Sequence, residues 1–153
     1  DQWVAIAAAL ADSPIFPVID LAYHGLGHGM EEDAAGLRMV LAAVPEALIA
    51  YSCDKNFGVY RDRVGALYAM VAPGAELGAV CSNLNALARA SWSMPPDHGG
   101  AVVRVILRDP ALTARWLDEL DTMRARMRAV RARLATAGSA GAVDLRPLGT
   151  QNG

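Results

Sequence analysis

Lys55 is the only lysine in the chain, beside thirteen arginines. The two are not interchangeable. Arginine stays charged in proteins, whereas a lysine amine can lose its proton in a suitable site and act as nucleophile or base. The stretch around it, "YSCDKNFGVYRDRVG" (Tyr51 to Gly65), adds a hydroxyl at Ser52 and a guanidinium at Arg63. Earlier in the chain, "DLAYHGLGHG" offers a carboxylate at Asp20 and a phenol at Tyr23. Taken singly, each residue has a bland reading. Asp20 caps a loop, Tyr23 packs, Arg63 pairs with Asp62 or Glu46 on the surface, and one lysine is drift in an alanine- and arginine-rich sequence.

The elements that must position these groups read as α/β. Trp3 to Leu10 is helical text closed by the breaker "ADSP", and "IFPVID" is a short apolar strand that runs into the glycine-rich loop "YHGLGHG". Glu31 to Val44 has helical spacing, with Glu31, Glu32 and Asp33 suited to its N-terminus. "ALIAYS" is a second strand and "VGALYAMVA" a third, on either side of the Lys55 loop. Pro73-Gly74 opens a helix to about Ala90, "SMPPDHGG" is a loop, and "AVVRVIL" is short, with a helix favoured. Asp109 caps a long helix with Pro110 in its first turn. Its apolar stripe runs through Leu112, Trp116, Leu120, Met123, Met127, Val130 and Leu134. In α/β sheets ligands sit beyond the carboxyl ends of the strands. Asp20 and Tyr23 follow the first strand, Ser52 and Lys55 the second, and Arg63 ends the same loop.

Composition narrows the options. With 153 residues, 54% of them hydrophobic, the chain can bury one sizeable core. A net charge of −2 gives no argument for a polyanionic partner, so no nucleic acid is expected. The arginines at 124, 126, 128, 131 and 133 then read as a solvated helix face. No apolar run is long enough to cross a membrane. Cys53 and Cys81 are too few for a disulfide framework, so a reducing cytoplasm is the default. His24 and His28 are four apart, but the glycines between them argue against a helix aiming both at a metal, and no metal site is expected. The chain opens at Asp1 in helical text and stops at "LGTQNG", which reads as a piece of something longer.

An acid, a phenol, a hydroxyl, an amine and a guanidinium on one sheet edge suit a cofactor with several distinct handles. Pyridoxal phosphate fits. It needs a lysine for a Schiff base, an acid at its pyridinium nitrogen, a donor to its phenolate, and hydrogen bonds with a guanidinium for its phosphate.

Three longer stretches carry a resemblance. "DLAYHGLGHGMEEDAAGLR" looks like the "D-x-AYQGF…G…EDA…R" segment of class I aminotransferases, the aspartate and aromatic amino-acid group. "SCDKNFGVYRDRVG" is similar to their "S-x-S/A-KNFGLY-x-ERVG" cofactor-lysine segment, and "ARASWSMPPDHGGAVV" to their "R-A-x-Y-S-x-PP-x-HGA". The closing "QNG" matches a family turn, and the resemblance covers essentially the whole chain in order.

It implies part of the large domain of the pyridoxal-phosphate fold, a mixed, mostly parallel sheet with flanking helices, over residues 1–107. Residues 108–153 would be the long interdomain helix and the start of a truncated small domain. It also implies transamination between an aspartate or aromatic amino acid and a 2-oxo acid such as 2-oxoglutarate, in a homodimer with shared sites. Lys55 would form the Schiff base and shuttle the substrate's proton. Asp20 would pair with the ring nitrogen, Tyr23 with the phenolic oxygen, and Ser52 and Arg63 with the phosphate. Arg89 would reach across the dimer to a substrate side-chain carboxylate.

The family's glycine-rich phosphate turn, ring-stacking aromatic and α-carboxylate arginine lie outside this stretch, so the chain alone is expected to be inactive. Asp54 stands where the family has serine or alanine. An anion there repels a phosphate unless it points away or is neutralised by Arg61 or Arg63. His24 replaces a glutamine and Leu26 a phenylalanine. Two other readings stay open: a fold remnant that has lost its cofactor, and a different enzyme of the same pyridoxal-phosphate fold.

Overall fold

The computed structural model describes residues 2–151. Helix α1 (Gln2–Ala11) ends where Leu10 accepts the Ser13 N–H, and the Ser13 hydroxyl oxygen then accepts the Ile15 N–H at 3.1 Å. That is the "ADSP" breaker at work. It leads into strand β1 (Val18–Leu21).

Helix α2 (Met30–Ala43) carries the chain back to strand β2 (Ala47–Ser52). β2 lies parallel to β1, with Val18 opposite Leu48 and Leu21 opposite Tyr51. A parallel pair needs such a crossover helix, which is why the hydrophobic period changes between the strands. β3 (Gly65–Met70) returns antiparallel, with Ser52 opposite Gly65 and Ala47 opposite Met70. The sheet is therefore mixed, in the order β1-β2-β3. Ala47 and Ile49 of the central strand are buried, as are Ala34, Gly36 and Val40 of α2. Gly36 lets the two helices approach closely, because a Cβ there would fall 2.4 Å from the Trp3 ring of α1.

Helices α3 (Leu77–Trp92), α4 (His98–Arg108) and α5 (Pro110–Ala137) follow. The Asp109 carboxylate accepts the N–H groups of Ala111 at 2.8 Å and Leu112 at 3.1 Å, so it is the cap the sequence predicts. The Thr113 hydroxyl donates to the Ile106 carbonyl and fixes the α4–α5 corner. Of the α5 stripe only Leu120 is fully buried; Trp116 and Met127 are half-buried, and Leu112, Met123, Val130 and Leu134 stand exposed. A two-residue hairpin, β4 (Ser139–Ala140) with β5 (Val143–Asp144), and a 3-10 helix (Arg146–Thr150) close the described chain. These pieces are too short for periodicity to announce them. The "QNG" turn falls mostly on residues 152 and 153, outside the described residues.

Because Leu120 is fully enclosed, Leu120→Ala is expected to cost about 2–5 kcal/mol. Leu134→Ala, on the exposed part of the stripe, should cost no more than about 0.5 kcal/mol. Urea unfolding midpoints of the two variants measure the difference.

Candidate functional site

The parallel register brings two loops to one edge of the sheet. Asp20 lies opposite Ala50, so the loop after β1 and the loop after β2 leave the sheet side by side. The first loop is rich in glycine and has little side chain to hold it. Asp33, in the first turn of α2, supplies the anchor. Its carboxylate accepts the N–H groups of Gly25 and Gly27 at 2.9 Å each and of His28 at 2.8 Å. Burial works to raise the Asp33 carboxyl, but the backbone donors of His28, Gly27, Gly29 and Gly25 outweigh it and hold the group below the usual carboxylate range.

From the other side α5 binds the same loop. Arg124 donates to the Gly25 carbonyl, and Arg128 to that of Gly27 at 2.9 Å. Two members of the arginine run are therefore structural, which corrects the reading of the whole run as a solvated face. The Arg124 side chain is only 13% exposed.

The second loop is pinned by Trp116. Its indole N–H donates to the Asn56 carbonyl at 2.7 Å, and its ring stacks on Phe57 with centroids 4.4 Å apart and planes 9° from parallel. Asn56 is buried and spans the two loops. Its amide donates to the Tyr51 hydroxyl at 2.8 Å and to the His24 carbonyl at 3.2 Å. The ring of His24 completes the circuit. Its Nε2 lies 2.7 Å from the Met30 carbonyl, which can only accept, so Nε2 carries the proton and Nδ1 accepts from the Tyr51 hydroxyl at 3.1 Å. The Asn56 Oδ1 is buried with no partner among the described residues. Burial pushes the Tyr51 phenol up, against the opposing pull of the Asn56 hydrogen bond. It also pushes up the neighbouring Cys53 thiol, with the Asp54 charge adding to it.

These bonds leave Lys55 and Tyr23 facing each other, the lysine Nζ 5.0 Å from the centroid of the tyrosine ring. Asp20 and Tyr23 line one wall of a shallow cleft of about 330 Å³ that also touches Trp3, His24, His28 and Asp33. Ser52 and Arg63 meet through Asp54. The Asp54 carboxylate is bonded to the Arg63 guanidinium, and its backbone N–H donates to the Ser52 hydroxyl oxygen at 3.2 Å. Arg63 thus pairs with Asp54 and not with Asp62 or Glu46; Asp62 is held by His98 at 2.9 Å. Arg89 stands exposed near the end of α3 and takes no part in this group within one chain. His24, Tyr51, Asn56 and Trp116 were not picked out as site residues from the sequence.

The family model for aminotransferase class I and II matches residues 1–153. The chain belongs to that family. It is 54% identical over 134 residues to a tyrosine aminotransferase of Rhizobium meliloti (strain 1021), covering 88% of this chain and 34% of that protein. It is 40% identical over 131 residues to an aspartate aminotransferase of Escherichia coli (strain K12), covering 86% of this chain and 33% of that one. Its fold superposes with a TM-score of 0.88 on an aromatic-amino-acid aminotransferase from Burkholderia pseudomallei, solved with pyridoxal phosphate covalently bound. That match has 35% identity and covers 99% of this chain and 39% of the other. This aminotransferase-family chain thus spans about a third of the length of the curated relatives it matches. Among the described residues no helix is long and apolar enough to cross a membrane.

The depressed Asp33 carboxyl gives a pH test with a definite sign. A lowered folded-state value contributes stability that is present above the unfolded-state value of about 4 and is lost as the pH falls through the folded-state value. The stability gap between wild type and Asp33→Asn, read from urea unfolding, should therefore be constant from neutral pH to about 4 and close below it. At neutral pH the gap is expected to be about 1–3 kcal/mol.

Proposed function

We propose that residues 1–153 form the lysine-bearing part of a pyridoxal-phosphate-dependent aminotransferase. The whole protein exchanges the amino group of an aspartate or aromatic L-amino acid with a 2-oxo acid such as 2-oxoglutarate. The observation that carries this reading is the Lys55 amine over the Tyr23 ring, at the sheet edge where Asp20 lies one residue before the end of β1. The relatives' activities support it, with tyrosine and aspartate aminotransferases both among them.

The donor set suits the cofactor handle by handle. Lys55 would hold its aldehyde carbon, Asp20 its ring nitrogen, Tyr23 its phenolic oxygen, and Ser52 and Arg63 its phosphate. When bound, the cofactor supplies an electron sink for the charge left on the substrate's α-carbon. Lys55 is the group that takes and returns the proton at that carbon, as general base and then acid. Asp20 keeps a proton at the ring nitrogen by its charge, and Tyr23 orients the ring by donating its hydroxyl. In this reading the protein is a cytoplasmic homodimer, and Arg89 extends to the partner subunit's site to receive a substrate carboxylate. The division at residues 107/108 separates the cofactor domain from the start of the small one.

A second reading, a remnant that no longer binds the cofactor, is favoured by one observation: the Asp54 carboxylate already bonded to Arg63. The full-length protein with added pyridoxal 5′-phosphate separates the two. A visible absorbance band is expected, lost in Lys55→Ala together with at least about 100-fold in kcat. Residues 1–153 alone are expected to give no turnover. A wild-type protein without the band decides for the remnant, and a band that persists in Lys55→Ala overturns the role given to Lys55.

A further inference from the structure

Asp54 is 2% exposed, and its bonds run to Ser52, to Arg63 and to Val64, the residue just before β3. One carboxylate oxygen takes the Arg63 Nη1, and the other accepts the Val64 N–H at 3.3 Å. Its own N–H goes to the Ser52 hydroxyl oxygen. The Arg63 Nη1 donates a second bond, to the Tyr60 carbonyl at 3.2 Å, so both of its hydrogens are used. Arg63 is also held at φ 51, a left-handed backbone that a long side chain seldom adopts. Among the described residues, what remains open is the Nε–Nη2 edge of a guanidinium whose side chain is 73% exposed. Ser52 keeps its hydroxyl hydrogen, because toward Asp54 it is the acceptor.

We infer that Asp54 is an internal rival of the cofactor's phosphate, a buried carboxylate that weakens the anion subsite by holding Arg63 before any ligand arrives. The inference rests on the site being the pyridoxal-phosphate site proposed above. A phosphate that docks on the free Nε–Nη2 edge meets a cation already offset by a carboxylate, and lies near that like charge. A phosphate that displaces Asp54 from Nη1 leaves a carboxylate buried without its partner, which is also costly. Either route lowers affinity for the phosphate and leaves the contacts of Lys55, Tyr23 and Asp20 with the rest of the cofactor unaffected. Asp54 is then the residue that sets how much of the binding energy comes from the phosphate. A neutral side chain at the same place frees the full charge of Arg63.

The test compares two ligands that differ only in the phosphate. Dissociation constants of pyridoxal 5′-phosphate and of pyridoxal are measured by equilibrium dialysis for the full-length wild type, Asp54→Asn and Asp54→Ser. Asp54→Asn keeps the shape and an acceptor for Arg63 while removing the charge; Asp54→Ser covers the case in which the asparagine variant folds poorly. Pyridoxal 5′-phosphate is expected to bind the variants at least about tenfold more tightly, with pyridoxal unchanged within about twofold. Equal or weaker binding of pyridoxal 5′-phosphate to both variants overturns the inference, and so does an equal gain for both ligands, which would place the effect away from the phosphate. In those cases wild-type binding still upholds the proposed function. If neither ligand binds any of the three proteins, the proposed function and this inference fall together.

Discussion

Two strands running the same way are the constraint on which the rest depends. Had β2 followed β1 by a hairpin, the residues after each strand would lie at opposite edges of the sheet, and Tyr23 could not meet Lys55. The α2 crossover makes the pair parallel, and the register of Asp20 opposite Ala50 then fixes which residues are neighbours. A slip of one residue would turn every side chain of β1 to the other face, so burial of Ala47 and Ile49 in the partner strand protects the site as well as the core. β3 contributes by closing the second loop. Its first residue pairs with Ser52, and the Val64 carbonyl accepts the Cys53 N–H at 2.9 Å, which returns the chain to the sheet with Arg63 beside Asp54.

The loops themselves have little regular structure, and a helix distant in sequence stabilises them. Trp116, Leu120, Arg124 and Arg128 recur every four residues along α5 and so share one face. Trp116 takes the Lys55 loop, Leu120 packs by Gly25, and the two arginines take the Gly25 and Gly27 carbonyls. Buried or half-buried carbonyls in a glycine-rich loop need donors, and a long arginine reaching down from a helix supplies them without another strand. The arginine that stays charged is thus used where a fixed donor is wanted.

The α/β order, the strands and loops, the Asp109 cap and the family were legible because each has a local signature: a change of period, a glycine or proline cluster, a motif of adjacent residues. Lys55 and Tyr23 were legible through the strand ends, together with Asp20, Ser52 and Arg63. The contacts that hold them were not. Asn56 lay inside a quoted motif, yet nothing near it in sequence shows that its amide reaches Tyr51 or that its carbonyl is met by a tryptophan far down the chain. The arginine run carried two meanings at once, because Arg124 and Arg128 face the loop while Arg126 and Arg133 face solvent, and charge counting does not separate them. The choice of Asp54's partner was open between Arg61 and Arg63. The return of the chain into β3 decides it for Arg63, the residue just before Val64, whose N–H the same carboxylate accepts.

The circuit of His24, Tyr51 and Asn56 explains how the Lys55 amine is given an address although, among the described residues, it makes no hydrogen bond or ion pair itself. Tyr23 precedes His24 and Lys55 precedes Asn56, so each of the two is one peptide from a member of the circuit. The Asn56 amide ties the His24 backbone to the Tyr51 hydroxyl, and the His24 ring ties that hydroxyl to the start of α2 at Met30. The loops are therefore fixed at the neighbouring residues, while among the described residues the Lys55 amine and the Tyr23 phenol carry no hydrogen bond of their own. A lysine held by its own ion pair would be positioned as well but less able to give up its proton. Placing the bonds one residue away separates rigidity of the backbone from availability of the side chain. The buried carboxylate of the same loop is spent on Arg63 instead of Lys55, which leaves the amine against the Tyr23 ring with no ion pair among the described residues.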